Sequence, residues 1–280
     1  MIVLSLFDGI ACGCEALKRA GIPVTKYYAS EIDPYAIKIA KKNHPEIIHL
    51  GDVTNWEEWD IEKPDLIIGG SPCQGFSFAG KQLAFNDPRS KLFFVMMDII
   101  KHYKPRYKFL ENVRMKKEYL DVIDYFMGVK GHLINSALVS AQNRQRYYWY
   151  NWSVKSFKNE NIQPESIIDG EGFATKGVWG KKPRKITMIK TEKFGALTAS
   201  YYKGLNSTLR PAVSVEEGVY TETRNSHRML TPIECERIQT LPDNYTNGVS
   251  NTQRYKMLGN GWTVDMVVQI LKGLKNENQE

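Results

Sequence analysis

Ile2-Val3-Leu4-Ser5-Leu6-Phe7-Asp8-Gly9-Ile10-Ala11-Cys12-Gly13 opens the chain with an apolar, β-rich run that breaks on an acid and a glycine and passes directly into a helical pattern over residues 11–20. The unit recurs downstream. A β-rich stretch at 26–30 precedes a helical one at 34–43, and 47–50 precedes 56–62. Residues 65–68 form the next apolar run, and 88–103 then place Leu92, Met96, Ile99 and Tyr103 on one helical face, followed by a strand at 107–110 and a helix at 117–127. Short strands alternating with helices in this way predict βαβ units, hence an α/β fold with a doubly wound, mostly parallel sheet.

Ligands of such sheets sit beyond the carboxyl ends of the strands. The residues at those ends are Asp8, Glu31, Asp52, Cys73 and Glu111. The first three are carboxylates spaced 23 and 21 residues apart. That pattern suits a nucleoside cofactor, with Gly9 and Gly13 permitting close backbone approach and an acid about 20 residues on taking ribose hydroxyls. Phe7-Asp8-Gly9-x-x-x-Gly13 is not the G-x-G-x-x-G fingerprint of dinucleotide sites. An acid in the first turn repels phosphates, which argues against a nicotinamide dinucleotide and for a cofactor presenting a cationic or neutral group there.

Gly69-Gly70-Ser71-Pro72-Cys73-Gln74-Gly75-Phe76-Ser77 sets a cysteine in a Gly/Pro-containing loop after a buried-looking strand. A free thiol with pKa near ~8.5 is only slightly ionised at neutral pH yet strongly nucleophilic, so a modest electropositive setting activates it. The alternative is a small packed core residue. The four cysteines, Cys12, Cys14, Cys73 and Cys235, form no C-x-x-C pair, so neither a disulfide framework nor a structural zinc site is indicated.

Distant stretches accompany that loop: Leu110-Glu111-Asn112-Val113, and Gln142-Asn143-Arg144-Gln145-Arg146 entering an aromatic run at 147–152. Together with the Cys73 loop they closely resemble the C5-cytosine DNA methyltransferases. Phe7-Asp8-Gly9 with Gly13, then Glu31, then Asp52 resemble that family's S-adenosylmethionine motifs. Residues 228–239, Arg228-Met229-Leu230-Thr231-Pro232-Ile233-Glu234-Cys235-Glu236-Arg237-Ile238-Gln239, resemble its ninth motif, and Leu258-Gly259-Asn260-Gly261 its tenth. The matches keep family order over 2–152 and 228–271. The form is that of bacterial and phage members, and Lys91-Leu92-Phe93-Phe94 adds a likeness to the catalytic domains of de novo cytosine methyltransferases. Gly261 stands where many bacterial members have serine.

The resemblance implies a DNA (cytosine-5)-methyltransferase with a Rossmann-like catalytic domain at 1–152 and 252–280 and a smaller target-recognition domain at 153–251. Cytosine C5 is too weakly nucleophilic to take a methyl group unaided, so a nucleophile first adds at C6. That role falls to Cys73. Glu111 would hold N3 and the exocyclic amine, and Arg144 and Arg146 would neutralise the base O2 or support the loop. Phe7 would lie on the adenine of S-adenosyl-L-methionine, Glu31 would take its ribose hydroxyls and Asp52 its adenine amine, with Ile32 and Val53 beside it. Asp8, Gly9, Ile10, Gly13 and Pro72 complete the implied cofactor contacts. Leu92 would join them or serve as helix core, and Asn260 and Trp262 would line the same site. The product is S-adenosyl-L-homocysteine, and no metal is implied.

C6 is inaccessible inside a stacked duplex, so the target cytosine must be flipped out. Ser71, Gln74 and Ser77 would contact the flipped nucleotide or the cofactor edge, or merely shape a tight loop. Residues 171–204 hold eight Lys/Arg against two acids, nearly the whole net charge of +7, interleaved with aromatics and without helical period. In isolation that is a solvated basic surface. At the family's target-recognition position it becomes a DNA-contacting one, with Lys181, Lys182, Arg184, Lys185 and Lys203, then Arg210 and Arg224, as phosphate or base contacts. Thr231-Pro232-Ile233-Glu234 reads as a capping box starting a short helix, and Val264, Val267, Val268 and Leu271 share one face of a final helix that returns to the first domain.

A chain of 280 residues with 42% apolar and 25% charged residues supports a folded core, which excludes disorder, collagen and a disulfide-stapled miniprotein. No apolar run reaches the ~18 residues of a membrane span. The expectation is a soluble, cytoplasmic protein of a prokaryotic cell or phage-infected host. It would act on double-stranded DNA; the sequence leaves open its oligomeric state, a monomer included, and whether a cognate restriction endonuclease accompanies it. Two rivals compete: an RNA cytosine-5 methyltransferase, and a catalytically silent DNA-binding regulator. The second usually loses the nucleophile, whereas Cys73, Glu111 and both arginines are present.

Overall fold

The computed structural model describes residues 1–71, 91–169, 193–203, 212–215 and 226–277, with backbone alone at 212–215, 226–228 and 276–277. The chain divides into two compact units. The first comprises Met1–Ser136, Gln145–Lys158 and Val264–Glu280; the second comprises Ala137–Arg144 and Asn159–Thr263.

The first unit is built on β1 (Ile2–Leu6), α1 (Cys12–Ala20), β2 (Lys26–Ser30), α2 (Pro34–Asn43), β3 (Ile48–Gly51), β4 (Leu66–Gly69), α3 (Lys91–Tyr103), β5 (Tyr107–Val113), α4 (Lys117–Met127) and β6 (His132–Asn135). In the second unit lies β7 (Gln142–Asn143), and the chain then re-enters the first with β8 (Gln145–Tyr150). Seven strands form one sheet in the order β3-β2-β1-β4-β5-β8-β6. The first five are mutually parallel, and β8 runs antiparallel between β5 and β6. The expected doubly wound, mostly parallel sheet is therefore present. Strand order reverses between β1 and β4, where such sheets bind ligands.

Local chemistry sets the elements. Asp33 caps α2 by accepting the Tyr35 N–H, with Pro34 at the first helical position. The helix expected at 56–62 is instead a 3-10 run at Val53–Glu58. Asp52 accepts the Thr54 N–H and so starts the turn earlier, and Asn55 leaves helical geometry at φ −96°, ψ 19°. Leu4, Leu6, Ile67 and Leu110 from the sheet pack with Phe93, Met96 and Ile99 of α3 and Ile123 and Met127 of α4. Each such buried side chain contributes roughly 1.5–3 kcal/mol. Leu92 and Tyr103, on the face foreseen for α3, are half-buried at its margin.

The second unit holds β9 (Phe194–Gly195), β10 (Ala212–Val215), β11 (Ser226–Met229), α5 (Pro232–Ile238) and α6 (Asn251–Asn260). β7 pairs with β9 in parallel, and β10 with β11 antiparallel. α5 begins with the foreseen capping box: Thr231 Oγ1 accepts the Glu234 N–H, and Glu234 accepts the Thr231 N–H. α6 belongs here too, so the return to the first unit comes at Val264 and not at residue 252. Its Arg254 guanidinium is tied to Glu236 at 2.8 Å and to the Thr246 hydroxyl at 2.9 Å, both within this unit. The final helix, α7 (Val264–Glu277), packs on α1, where Arg19 reaches both Glu15 at 2.7 Å and Asp265 at 3.1 Å. Among the described residues, no helix is long and apolar enough to cross a membrane.

Candidate active site

Because β3, β2 and β1 are adjacent and parallel, their carboxyl ends share one edge, and the acids that follow them collect there. Asp8 lies two residues past β1, while Glu31 and Asp52 directly follow β2 and β3. Glu31 organises this edge. Its Oε2 accepts the Gly9 N–H at 2.8 Å, and its Oε1 accepts those of Ile32 and Asp33, each at 2.8 Å. The turn it holds is tightly wound, with Phe7, Gly9 and Ala11 at φ of 58°, 61° and 62°. Nothing lies within 4 Å of where a Gly9 Cβ would stand, so the backbone there is open to a ligand.

Asp8 is buried. Ser5 Oγ–H donates to its Oδ1 at 2.6 Å and the Tyr27 hydroxyl donates to the same oxygen at 2.8 Å. Desolvation outweighs those bonds and, with the nearby Glu31 charge, raises its pKa to about 6. Its Oδ2 has no hydrogen-bond partner among the described residues. Ile32 leaves an apolar side chain 69% exposed beside Glu31. An unpartnered buried carboxylate oxygen, an exposed apolar side chain and two further strand-end acids fit a nucleoside carrying a positive charge, as S-adenosyl-L-methionine does. Ile10 and Val53, foreseen as contacts, are core residues at 1% and 5% exposure, and Gly13 is buried within α1. Phe7 is half-buried against the main core, as is Leu92.

Two strands away, Glu111 lies inside β5, two residues before its end. Arg146 of β8 sits with Nε 3.1 Å from Glu111 Oε1, and both side chains are largely buried. The neighbouring Asn112 is fully buried and donates through Nδ2 to Ser71 Oγ at 3.2 Å and to the Ser71 carbonyl at 3.4 Å. The chain entering the Cys73 loop is thereby fastened beside Glu111. Sequence reading quoted Asn112 without giving it a task; its place next to Glu111 was the available signal. Pro72, Cys73, Gln74 and Ser77 lie outside the described residues, as do Lys181, Lys182, Arg184, Lys185, Arg210 and Arg224.

The Gln142–Arg146 stretch straddles the division between the units, and its two arginines do different work. Arg144 belongs to the second unit and is buried there. Its guanidinium donates to the carbonyls of Leu197 at 2.7 Å, Gly261 at 2.9 Å and Gly259 at 3.3 Å. Gln142 donates to Ile238 O and Gln239 Oε1, each at 3.0 Å, and accepts the Leu197 N–H at 3.1 Å. Gln239 in turn donates to Leu258 O at 2.6 Å. Gly259 admits no side chain, because a Cβ would collide with the Thr198–Ala199 peptide. These polar bonds knit together three separated motifs of the sequence, a task that no local pattern announced. Asn260 is exposed at the end of α6, Trp262 is buried, and both lie in the second unit. Lys203 is exposed, with its ammonium 5.8 Å from the Tyr202 ring centroid.

The C-5 cytosine-specific DNA methylase profile matches residues 1–150 and 129–276. The type II methyltransferase M1.ScrFI of Lactococcus lactis subsp. cremoris is 32% identical over 313 residues, covering 95% of this chain and 75% of that protein. The orphan methyltransferase M.Rho11sI of Bacillus phage rho11s is 37% identical over 276 residues, covering 93% of this chain and 52% of that protein. In fold, the chain is similar over its whole length to the S. pombe Dnmt2 methyltransferase, with a TM-score of 0.77 at 19% identity.

Proposed function

This chain belongs to the C-5 cytosine-specific DNA methylase family, and on that premise we propose that it methylates C5 of a flipped-out cytosine in duplex DNA with Cys73 as the nucleophile. DNA cytosine-5 methylation is the activity of the family. The observation that carries the residue-level reading is the Glu111–Arg146 pair, with Asn112 fastening Ser71, and so the root of the Cys73 loop, beside it.

Cys73 adds as a thiolate to C6, forming an S–C6 bond and sending electron density towards C5. Glu111 takes the N3 and exocyclic amine edge, where charge develops as the thiolate adds. Arg146 fixes the Glu111 carboxylate and lends positive potential to the pocket. Bound S-adenosyl-L-methionine supplies an electrophilic methyl group on a sulfonium, leaving as S-adenosyl-L-homocysteine. C5 takes that methyl group, its proton passes to water or hydroxide, and the electron pair of the broken C5–H bond expels the Cys73 thiolate from C6. Phe7, Glu31 and Asp52 hold the donor's nucleoside, with Ile32 beside them. Arg144 acts indirectly, by fixing the backbone at Leu197, Gly259 and Gly261.

The basic residues at 171–204, with Arg210 and Arg224, serve as the DNA-contacting set, placing the second unit as the target-recognition part. The two sequence relatives named above come from a bacterium and a Bacillus phage, which supports a cytoplasmic site of action and, if the protein serves a restriction-modification system, a cognate endonuclease as partner. Transfer of labelled methyl from S-adenosyl-L-methionine to duplex DNA and to tRNA tests the reading. Label in DNA supports it; label confined to tRNA, or cofactor binding without transfer to either, refutes it.

A further inference from the structure

Apart from the strand-end acids, the first unit brings a thiol, an imidazole and a carboxylate to one point. Cys14 lies in the first turn of α1, His44 caps the end of α2, and Glu46 stands in the link to β3. One potential ligand atom from each lies within 4.8 Å of the other two. The sequence indicated no structural zinc site, since 30 residues separate Cys14 from His44 and no C-x-x-C or H-x-H spacing marks the group.

The contacts inside the group are long, weak hydrogen bonds, and their spacing also admits coordination of an ion. Glu46 Oε1 is 3.5 Å from His44 Nδ1 and 3.9 Å from Cys14 Sγ. An N–H···O bond settles at roughly 2.7–3.2 Å, so 3.5 Å is long for one. A tetrahedron with Zn–N and Zn–O near ~2.0–2.1 Å and Zn–S near ~2.3 Å has N–O and S–O edges of roughly 3.3–3.5 Å. The two edges to Glu46 lie within a few tenths of an ångström of that, and the thiol-to-imidazole edge is within 4.8 Å. Behind the imidazole, His44 Nε2 faces Glu15 Oε2 at 3.5 Å, and Glu15 Oε1 accepts from Arg19 Nε at 2.7 Å. A carboxylate on the far nitrogen is the usual orienting partner of a metal-bound histidine. Glu46, Asp8 and Glu15 all put negative charge at the sulfur, opposed by Lys18, which suits a dication. Cys14 and His44 are buried while Glu46 is exposed, so one ligand opens to solvent and gives an ion a way in.

We propose that Cys14 Sγ, His44 Nδ1 and Glu46 bind one divalent cation of the zinc class, with Glu15 as the positioning residue behind His44. A mixed S, N and O donor set favours zinc over magnesium or calcium. Such an ion ties the start of α1 to the α2–β3 link, beneath the edge that carries Asp8 and Glu31.

The test uses chelator-stripped full-length protein in a Cys73→Ser background, so that Cys73 cannot supply a thiolate. Cobalt(II) is titrated while the thiolate-to-cobalt charge-transfer band is followed, and zinc is then added in competition. The expected result is one equivalent bound per chain, displaced by zinc, with the band lost in Cys14→Ser. Glu46→Gln changes an exposed side chain, keeps the fold by circular dichroism, and is expected to weaken binding. Glu15→Gln is expected to weaken it about 10- to 100-fold, as for other partners of metal-bound histidines. No band in the folded parent, or cobalt affinity unchanged in both Cys14→Ser and Glu46→Gln, overturns the proposal. Neither readout requires methyl transfer, so failure here is separate from failure of the methyltransferase reading.

Discussion

Arg146 and Glu111 meet across the antiparallel β5–β8 pair, Nε to Oε1 at 3.1 Å, because Arg146 stands opposite Val113 and Glu111 opposite Tyr148. The two are diagonal neighbours on one face of the sheet. The register thus puts a guanidinium on a largely buried carboxylate. Replacing Glu111 with Gln, or Arg146 with Ala, is expected to lower kcat by about 10²- to 10⁴-fold, the range for removing an acid–base or charge-stabilising group. The dissociation constant for S-adenosyl-L-methionine, measured by calorimetry, is expected to stay near the parent value. A parallel loss of cofactor binding would show that the pair only supports the fold.

Arg144 makes a contrasting prediction. A lysine keeps its charge but cannot match a planar fork that serves the carbonyls of Leu197, Gly259 and Gly261. Gly261 O keeps Gln239 Nε2 as a donor at 3.2 Å, whereas each buried carbonyl at Leu197 or Gly259 left without one costs about 1–3 kcal/mol. Arg144→Lys is expected to destabilise the protein by about 2–4 kcal/mol in urea unfolding. An unchanged midpoint would mean that these bonds are dispensable.

Gly259 and Gly9 separate two kinds of glycine requirement. At Gly259 an added methyl runs into the Thr198–Ala199 peptide, whereas at Gly9 the space is open and only φ of +61° opposes a side chain. Gly9→Ala is expected to cost about 1–2 kcal/mol, the left-handed penalty. Gly259→Ala is expected to cost more than about 3 kcal/mol, since backbone must move. Thermal unfolding of the two variants side by side gives the order; equal shifts would refute the close packing at Gly259.

The pKa of Asp8 near 6, raised mainly by burial from 3.8, implies a pH-dependent cost. Well below the unfolded value of 3.8, at about pH 3, the carboxyl is protonated both folded and unfolded, and no penalty applies. As pH rises from about 3 through 6 the unfolded chain ionises first, so stability falls, by about 3 kcal/mol once both states are charged. Asp8→Asn removes this slope. The stability difference, asparagine variant minus parent, is expected to grow by about that amount between about pH 3 and pH 7 in urea titrations; a flat difference would mean Asp8 is not desolvated.

Much of the edge that carries Asp8, Glu31 and Asp52 was legible in the sequence. Strand and helix periods are local, and a parallel sheet sends the residues that follow its strands to one side. The Thr231–Glu234 capping box was legible for the same reason, being confined to one turn. Other features depend on partners far along the chain. α6 carries little apolar periodicity and is held by the buried Arg254–Glu236 pair, 18 residues apart. The inward turn of Arg144 depends on carbonyls 53 to 117 residues away. The Cys14, His44 and Glu46 group exists only once α1 and the α2–β3 link are in place. The 56–62 pattern looked helical by period, but Asp52 starts a tighter turn first.

The most direct test is to incubate the protein with S-adenosyl-L-methionine and unmethylated plasmid, then map 5-methylcytosine by bisulfite sequencing, with Cys73→Ala alongside. Methylation confined to one short sequence context, absent with Cys73→Ala while that variant still binds the cofactor, is the expected result. Methylation that persists without the Cys73 thiol, or a folded parent protein that binds the cofactor and leaves the plasmid unmodified, would refute it.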